Sequence, residues 1–123
     1  MQRFVPAKLH GILDFMTVGV FIAGGDIFRV KNAPGSTLPA QVMGPSVAFY
    51  SMLTDYGSDN GFASARVISM KTHVALDAVL ALTVGLSPWV SGSWRKGWNY
   101  WAPQALAMST ELFFALTTKL DPE

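Results

Sequence analysis

The chain has 123 residues, of which 50% are hydrophobic and 14% charged, with a net charge of +1 and no cysteine. A single domain of this size exposes much of its surface, and soluble domains carry about 25% charged residues, so this composition argues against a water-soluble fold. The near-neutral balance excludes an electrostatic nucleic-acid binder, and the lack of Cys excludes disulfides, thiolate metal sites and Cys nucleophiles.

In chain order, Lys8-Leu9-His10-Gly11-Ile12-Leu13-Asp14 opens a first apolar segment over about residues 9–25. It is expected to be retained rather than cleaved as a leader, because Asp14 interrupts it and no small-x-small site ends it. Asp26, Arg29, Lys31, Asn32 and Pro34-Gly35 form a polar break. The second apolar segment covers about residues 38–53, with a bend expected at Gly44-Pro45. It closes on Tyr50-Ser51-Met52-Leu53-Thr54-Asp55-Tyr56, where Tyr56 is placed at a membrane interface and Asp55 within reach of Lys8 or Lys71. A link containing Ser58-Asp59-Asn60-Gly61 follows.

Lys71-Thr72-His73-Val74-Ala75-Leu76-Asp77 then repeats the opening motif 63 positions on. Lys, His, Leu and Asp recur at the same offsets, and a third apolar segment follows over about residues 73–90. Ser91-Gly92-Ser93 and Arg95-Lys96-Gly97 break it, and a fourth segment runs over about residues 98–120 with Glu111 near its middle. A duplicated two-helix unit is the simplest source of this pattern, with repeat 1 over about 1–60 and repeat 2 over about 61–123. Short links favour antiparallel neighbours.

The expected fold is all-α, an integral membrane four-helix up-down bundle made of two helical hairpins. Spanning helices need roughly 17–25 residues. Segment two has no charge and segment three only Asp77, so neither offers the polar face of a soluble helix. Trp89, Trp94, Trp98, Tyr100 and Trp101 crowd the ends of segments three and four, as interfacial aromatics do. Gly19/Ala23, Gly44/Ala48, Ala81/Gly85 and Ala105/Ser109 are small-x-x-x-small pairs of the kind that bring membrane helices together. The side holding the termini and central link carries Arg3, Lys8, Arg66, Lys71 and Lys119, against Arg29, Lys31, Arg95 and Lys96 opposite. That excess places the termini in the cytoplasm.

The ordered set of Lys-x-His-x-x-Leu-Asp, Tyr-Ser-x-Leu-Thr-Asp-Tyr, a second His-x-x-x-Asp and Ser87-Pro88-Trp89 resembles the SPW-repeat family of small bacterial membrane proteins. The resemblance covers most of the chain. It implies a multi-pass protein of the bacterial inner membrane and no established reaction. The first copy departs from the pattern, with Gly24-Gly25-Asp26 where the second has Ser87-Pro88-Trp89.

His10 with Asp14, and His73 with Asp77, are the main candidate site residues. At i,i+4 each His shares a helix face with its own Asp, and ionisable groups inside spans face the bundle interior or water. The structural reading has each Asp orienting its His or capping a helix start. The functional readings are axial haem ligation by His10 and His73, a divalent metal held by His10, Asp14, His73 and Asp77, or a proton relay. Glu111 is either a functional intramembrane carboxylate or a neutral Glu hydrogen-bonded to Ser109, Thr110 or Tyr50. No phosphate loop or nucleophile elbow is present.

Two function classes compete. The favoured one is a structural or accessory subunit that packs in the bilayer against larger membrane subunits or itself. The other is a haem-, metal- or proton-handling protein built on the paired His and Asp. A small transporter has less room, because two spans per copy leave the copies parallel.

Overall fold

The structure, a computed structural model, describes residues 3–55 and 67–120. Tyr56, Arg66 and the Ser58–Gly61 turn expected in the central link lie outside the described residues. The chain forms α1 (Ala7–Ile27), α2 (Pro34–Met52), α3 (Met70–Ser91) and α4 (Ala102–Thr117), with two 3-10 turns, Ser93–Lys96 and Trp98–Tyr100, between α3 and α4. The all-helical expectation therefore holds. Helices α1 and α3 are long and apolar enough to cross a membrane, with mean hydropathy 1.3 and 1.6. At about 1.5 Å per residue they measure roughly 31–33 Å, close to a hydrocarbon core of about 30 Å.

The fourth segment is shorter than its apolar run. Trp98–Tyr100 is a separate turn, Trp101 leaves helical geometry (φ −138°, ψ −33°), and α4 starts at Ala102 with Pro103 in its first turn, ending after 16 residues. Proline is tolerated there because the first-turn N–H groups have no helical partner anyway. Helix α2 likewise begins with Pro34, and it runs on through Pro39 and Pro45.

Helix α3 also continues through Pro88 to Ser91. Pro88 has no N–H for the carbonyl four residues back, that of Val84. The Ser87 hydroxyl donates to that same carbonyl at 2.8 Å, so the Ser-Pro pair repairs its own defect. Trp89 then leaves the helix surface to pack on Trp94 and Trp101, with ring centroids 5.2 and 5.6 Å away.

Helix α1 packs on α2, α2 on α3, and α3 on α4. The closest approaches use two glycines. A Cβ on Gly44 would stand 2.9 Å from Ile22 of α1, and one on Gly85 would stand 2.3 Å from Met108 of α4. These are one contact with knob and hole exchanged: Ile22 and Gly85 share the 63-residue offset, and Gly44 and Met108 an offset of 64. Gly19 does not behave this way, since a Cβ there would meet nothing within 4 Å, and Ser109 is exposed. Two of the four small-residue pairs therefore pack inside the molecule, and Gly85 with Ala81 (1% exposed) is not an outward association face.

Several polar side chains lie inside the bundle and several large apolar ones outside. His73, Asp77, Thr54, Ser51, Thr117 and Thr118 are fully buried, while Val90, Phe49, Leu106 and Met16 are 65–86% exposed. Two small apolar clusters fill the interior: Phe21, Met43, Val47, Tyr50 and Val84 in one, Ala7, Met70, Val74 and Ala115 in the other. Backbone pairing stitches one end, where Val5 bridges Thr118 and Ile68 bridges Thr54. At the other end, Asn99 donates to the Phe28 carbonyl (2.9 Å), Tyr100 to that of Lys31 (3.1 Å), and Ser36 meets Ser93.

Candidate metal centre

His10 and His73 are each the fourth residue of their helix, and Asp14 and Asp77 each the eighth. One helical turn separates each His from its Asp, so both project from the same face. Neither Asp lies in the first turn, so the helix-start capping role does not apply; Ser69 caps α3 instead by accepting from the Thr72 N–H.

The two pairs merge into one centre. His10 Nε2 lies 2.7 Å from Asp77 Oδ2 and His73 Nε2 lies 2.6 Å from Asp14 Oδ2. The contacts within each helix are longer, 3.2 Å for His10–Asp14 and 3.1 Å for His73–Asp77. Each His thus meets its own Asp, as the i,i+4 spacing predicts, and meets the Asp of the opposite hairpin more closely still. All four side chains are at most 3% exposed.

The outer nitrogens fix the tautomer. His73 Nδ1 is 2.8 Å from Thr54 Oγ1, and His10 Nδ1 is 2.6 Å from Thr118 Oγ1. Each Thr hydroxyl spends its single hydrogen on a backbone carbonyl, Thr54 on Tyr50 (2.7 Å) and Thr118 on Phe114 (2.6 Å). Each Oγ1 can therefore only accept, and each Nδ1 must carry the hydrogen. Both Nε2 atoms then point toward carboxylate oxygens, and a positive charge has to sit between them. Two protons, one per imidazole, or one divalent cation supply the same charge against two carboxylates.

The donor set suits a borderline transition metal of the zinc type: two imidazole nitrogens and two carboxylate oxygens, all within 4.8 Å of one another. Ligands about 2.0 Å from a tetrahedral metal stand about 3.3 Å apart; the four N···O separations here are 2.6–3.2 Å, just inside that figure, and the whole set lies within 4.8 Å. The outer shell is built as well. The Thr hydroxyls hold both imidazoles, and Tyr50 donates its phenolic hydrogen to Asp77 Oδ1. Such partners orient ligands and raise metal affinity. Tyr50 also packs edge-on to His73 with centroids 5.0 Å apart, and Phe114 does the same to His10 at 6.3 Å. A haem does not fit between the histidines, whose ring centroids are 5.2 Å apart at 79° with both carboxylates in the gap.

Glu111 is 5% exposed and lies within electrostatic reach of all four residues. Of the hydrogen-bond partners expected for it, Ser109 donates to the Ala105 carbonyl and Tyr50 to Asp77 instead. Asp55 pairs through its backbone with Ile68. Thr54 and Thr118 escaped the sequence reading. Their signal was the spacing Tyr50-x-x-x-Thr54, repeated 64 residues on as Phe114-x-x-x-Thr118. No protein-family model, curated protein or solved structure matches this chain.

Proposed function

We propose that this chain is a four-span integral membrane protein, related to the SPW-repeat proteins, whose buried His2Asp2 centre binds one divalent transition metal and thereby ties the two hairpins together. The observation that carries this reading is the convergence of both Nε2 and both Oδ2 atoms, with each Nδ1 hydrogen already committed to a Thr hydroxyl. The ligands come from α1 and α3, one from each hairpin, so the metal is a cross-link rather than a catalyst with an open position. The outward apolar residues suit a bilayer on every side. The role is structural, and it accommodates an accessory subunit of a larger membrane assembly in a bacterial inner membrane with cytoplasmic termini.

The test is zinc or manganese titration of protein stripped with chelator in detergent. Binding is expected at one ion per chain, with release of about two protons per ion as metal replaces them and a rise in thermal midpoint by mass action. The His10→Ala/His73→Ala double variant should bind none. Protein that takes up no metal at millimolar concentration and releases no protons has a purely proton-balanced clamp instead.

A further inference from the structure

A cavity of about 200 Å³ lies in the other half of the bundle, between the second half of α1 and the first half of α4. Phe21, Ala40 and Val84 close it on the inside. Its exposed lining residues are Val20 and Leu106, 54% and 69% exposed, with Thr110 beside them, so it opens sideways between α1 and α4. An apolar cavity of about 150 Å³ already accommodates a six-membered ring.

Three buried polar side chains line this largely apolar space, and one of them, Ser36, is already bonded to Ser93 and the Tyr100 carbonyl. Glu111, at its inner end, has no hydrogen-bond partner among the described residues, although it is 5% exposed. Gln104, 8% exposed, spends its Nε2 on the Ser36 carbonyl at 3.2 Å, and its Oε1 has no partner among the described residues. Turning the amide over would not help, because it would set oxygen against that carbonyl. A buried polar atom left unpaired, as Gln104 Oε1 is, is costly, and the Glu111 carboxyl presents a second accepting oxygen to the same space. They are seven residues apart on α4, two turns on one face, so their side chains are offset by roughly 10.5 Å. A para-dihydroxy ring, with oxygens about 5.5 Å apart and a hydrogen bond of about 2.8 Å at each end, covers about 11 Å.

From this juxtaposition of a laterally open apolar cavity with two unpartnered acceptors, we propose that the protein binds a lipid-soluble hydroquinone. One hydroxyl donates to Gln104 Oε1 and the other to a carboxyl oxygen of Glu111, and the hydrocarbon tail leaves between Val20 and Leu106 into the bilayer. Gly24 gives a means to close the site: it lines the cavity, and a Cβ there meets nothing within 4 Å. The proposal rests on the cavity and on the membrane-spanning reading above, and it is independent of metal at the His/Asp centre.

Protein in lipid nanodiscs is titrated with 2-decylhydroquinone, with decylbenzene and decylammonium as comparison probes and empty nanodiscs as the partition baseline. Saturable binding of the hydroquinone at one per chain is expected, with decylbenzene only partitioning. Glu111→Leu and Gln104→Leu should each weaken binding at least about tenfold, the scale of one lost hydrogen bond to a buried group. Gly24→Leu should abolish it while circular dichroism and the unfolding midpoint stay unchanged. If Gly24→Leu disturbs the fold, Glu111→Leu, which removes the acceptor at the same position, decides alone. The proposal is overturned if hydroquinone and decylbenzene partition alike, if decylammonium saturates at lower concentration than the hydroquinone, or if Glu111→Leu leaves hydroquinone affinity intact.

Discussion

The crossed pairing at the His/Asp centre makes a quantitative prediction. In metal-free protein, with the centre balanced by two imidazole protons, each His interacts with two carboxylates at different distances. For unit charges at an effective dielectric of about 20, the Coulomb energy is about 6 kcal/mol at the 2.7 Å of His10–Asp77 and about 5 kcal/mol at the 3.2 Å of His10–Asp14. The shorter contact is also the better hydrogen bond, and a hydrogen bond to a charged group is worth about 1.5–3 kcal/mol. The His10–Asp77 coupling should therefore exceed the His10–Asp14 coupling by about 1–2 kcal/mol. Double-mutant cycles measure this directly, using His10→Gln with Asp77→Asn and with Asp14→Asn, read by reversible unfolding in mixed micelles. Each single variant leaves an uncompensated buried charge, which costs about 3–5 kcal/mol, and the charge-neutral double variant should recover part of that loss. The same ordering is expected for His73, with Asp14 (2.6 Å) ahead of Asp77 (3.1 Å). An i,i+4 coupling equal to or larger than the cross-hairpin one refutes the geometry described here.

Further outcomes follow from other contacts. Thr54→Val removes the acceptor of the His73 Nδ1 hydrogen and should lower metal affinity by about 10–100-fold, while Thr54→Ser should retain most of it; competition with a chromogenic chelator reads both. Gly85→Leu forces a side chain into Met108 and should destabilise by about 1–3 kcal/mol or more, whereas Gly19→Leu, facing open space, should leave the unfolding midpoint unchanged. Ser87→Ala strands the Val84 carbonyl beside Pro88 and should cost about 1 kcal/mol; in a Pro88→Ala background, where a backbone N–H is restored, the same change should cost measurably less.

The repeated Lys-x-His-x-x-Leu-Asp spacing determined a good deal by itself. Four apolar runs with Pro and Gly between them dictate helices and their breaks, and an i,i+4 spacing puts each His and Asp on one face whatever the helix packs against. The recurrence at 63 residues also singled out the four residues that converge. These are local properties, carried by backbone periodicity and side-chain type. The tertiary structure decided which acid each histidine meets. That depends on how α1 and α3 face each other across the bundle, a distance between residues 67 and 59 positions apart that no spacing encodes. It also committed the Thr54 and Thr118 hydroxyls, which fixes the proton on each imidazole. Gly19 and Gly85 look equivalent as small residues in apolar runs, yet one faces open space and the other receives Met108, because helix rotation rather than composition decides which side turns inward. Glu111 likewise reads as a lone carboxylate in sequence, and only the gap between α1 and α4 gives it a cavity to face.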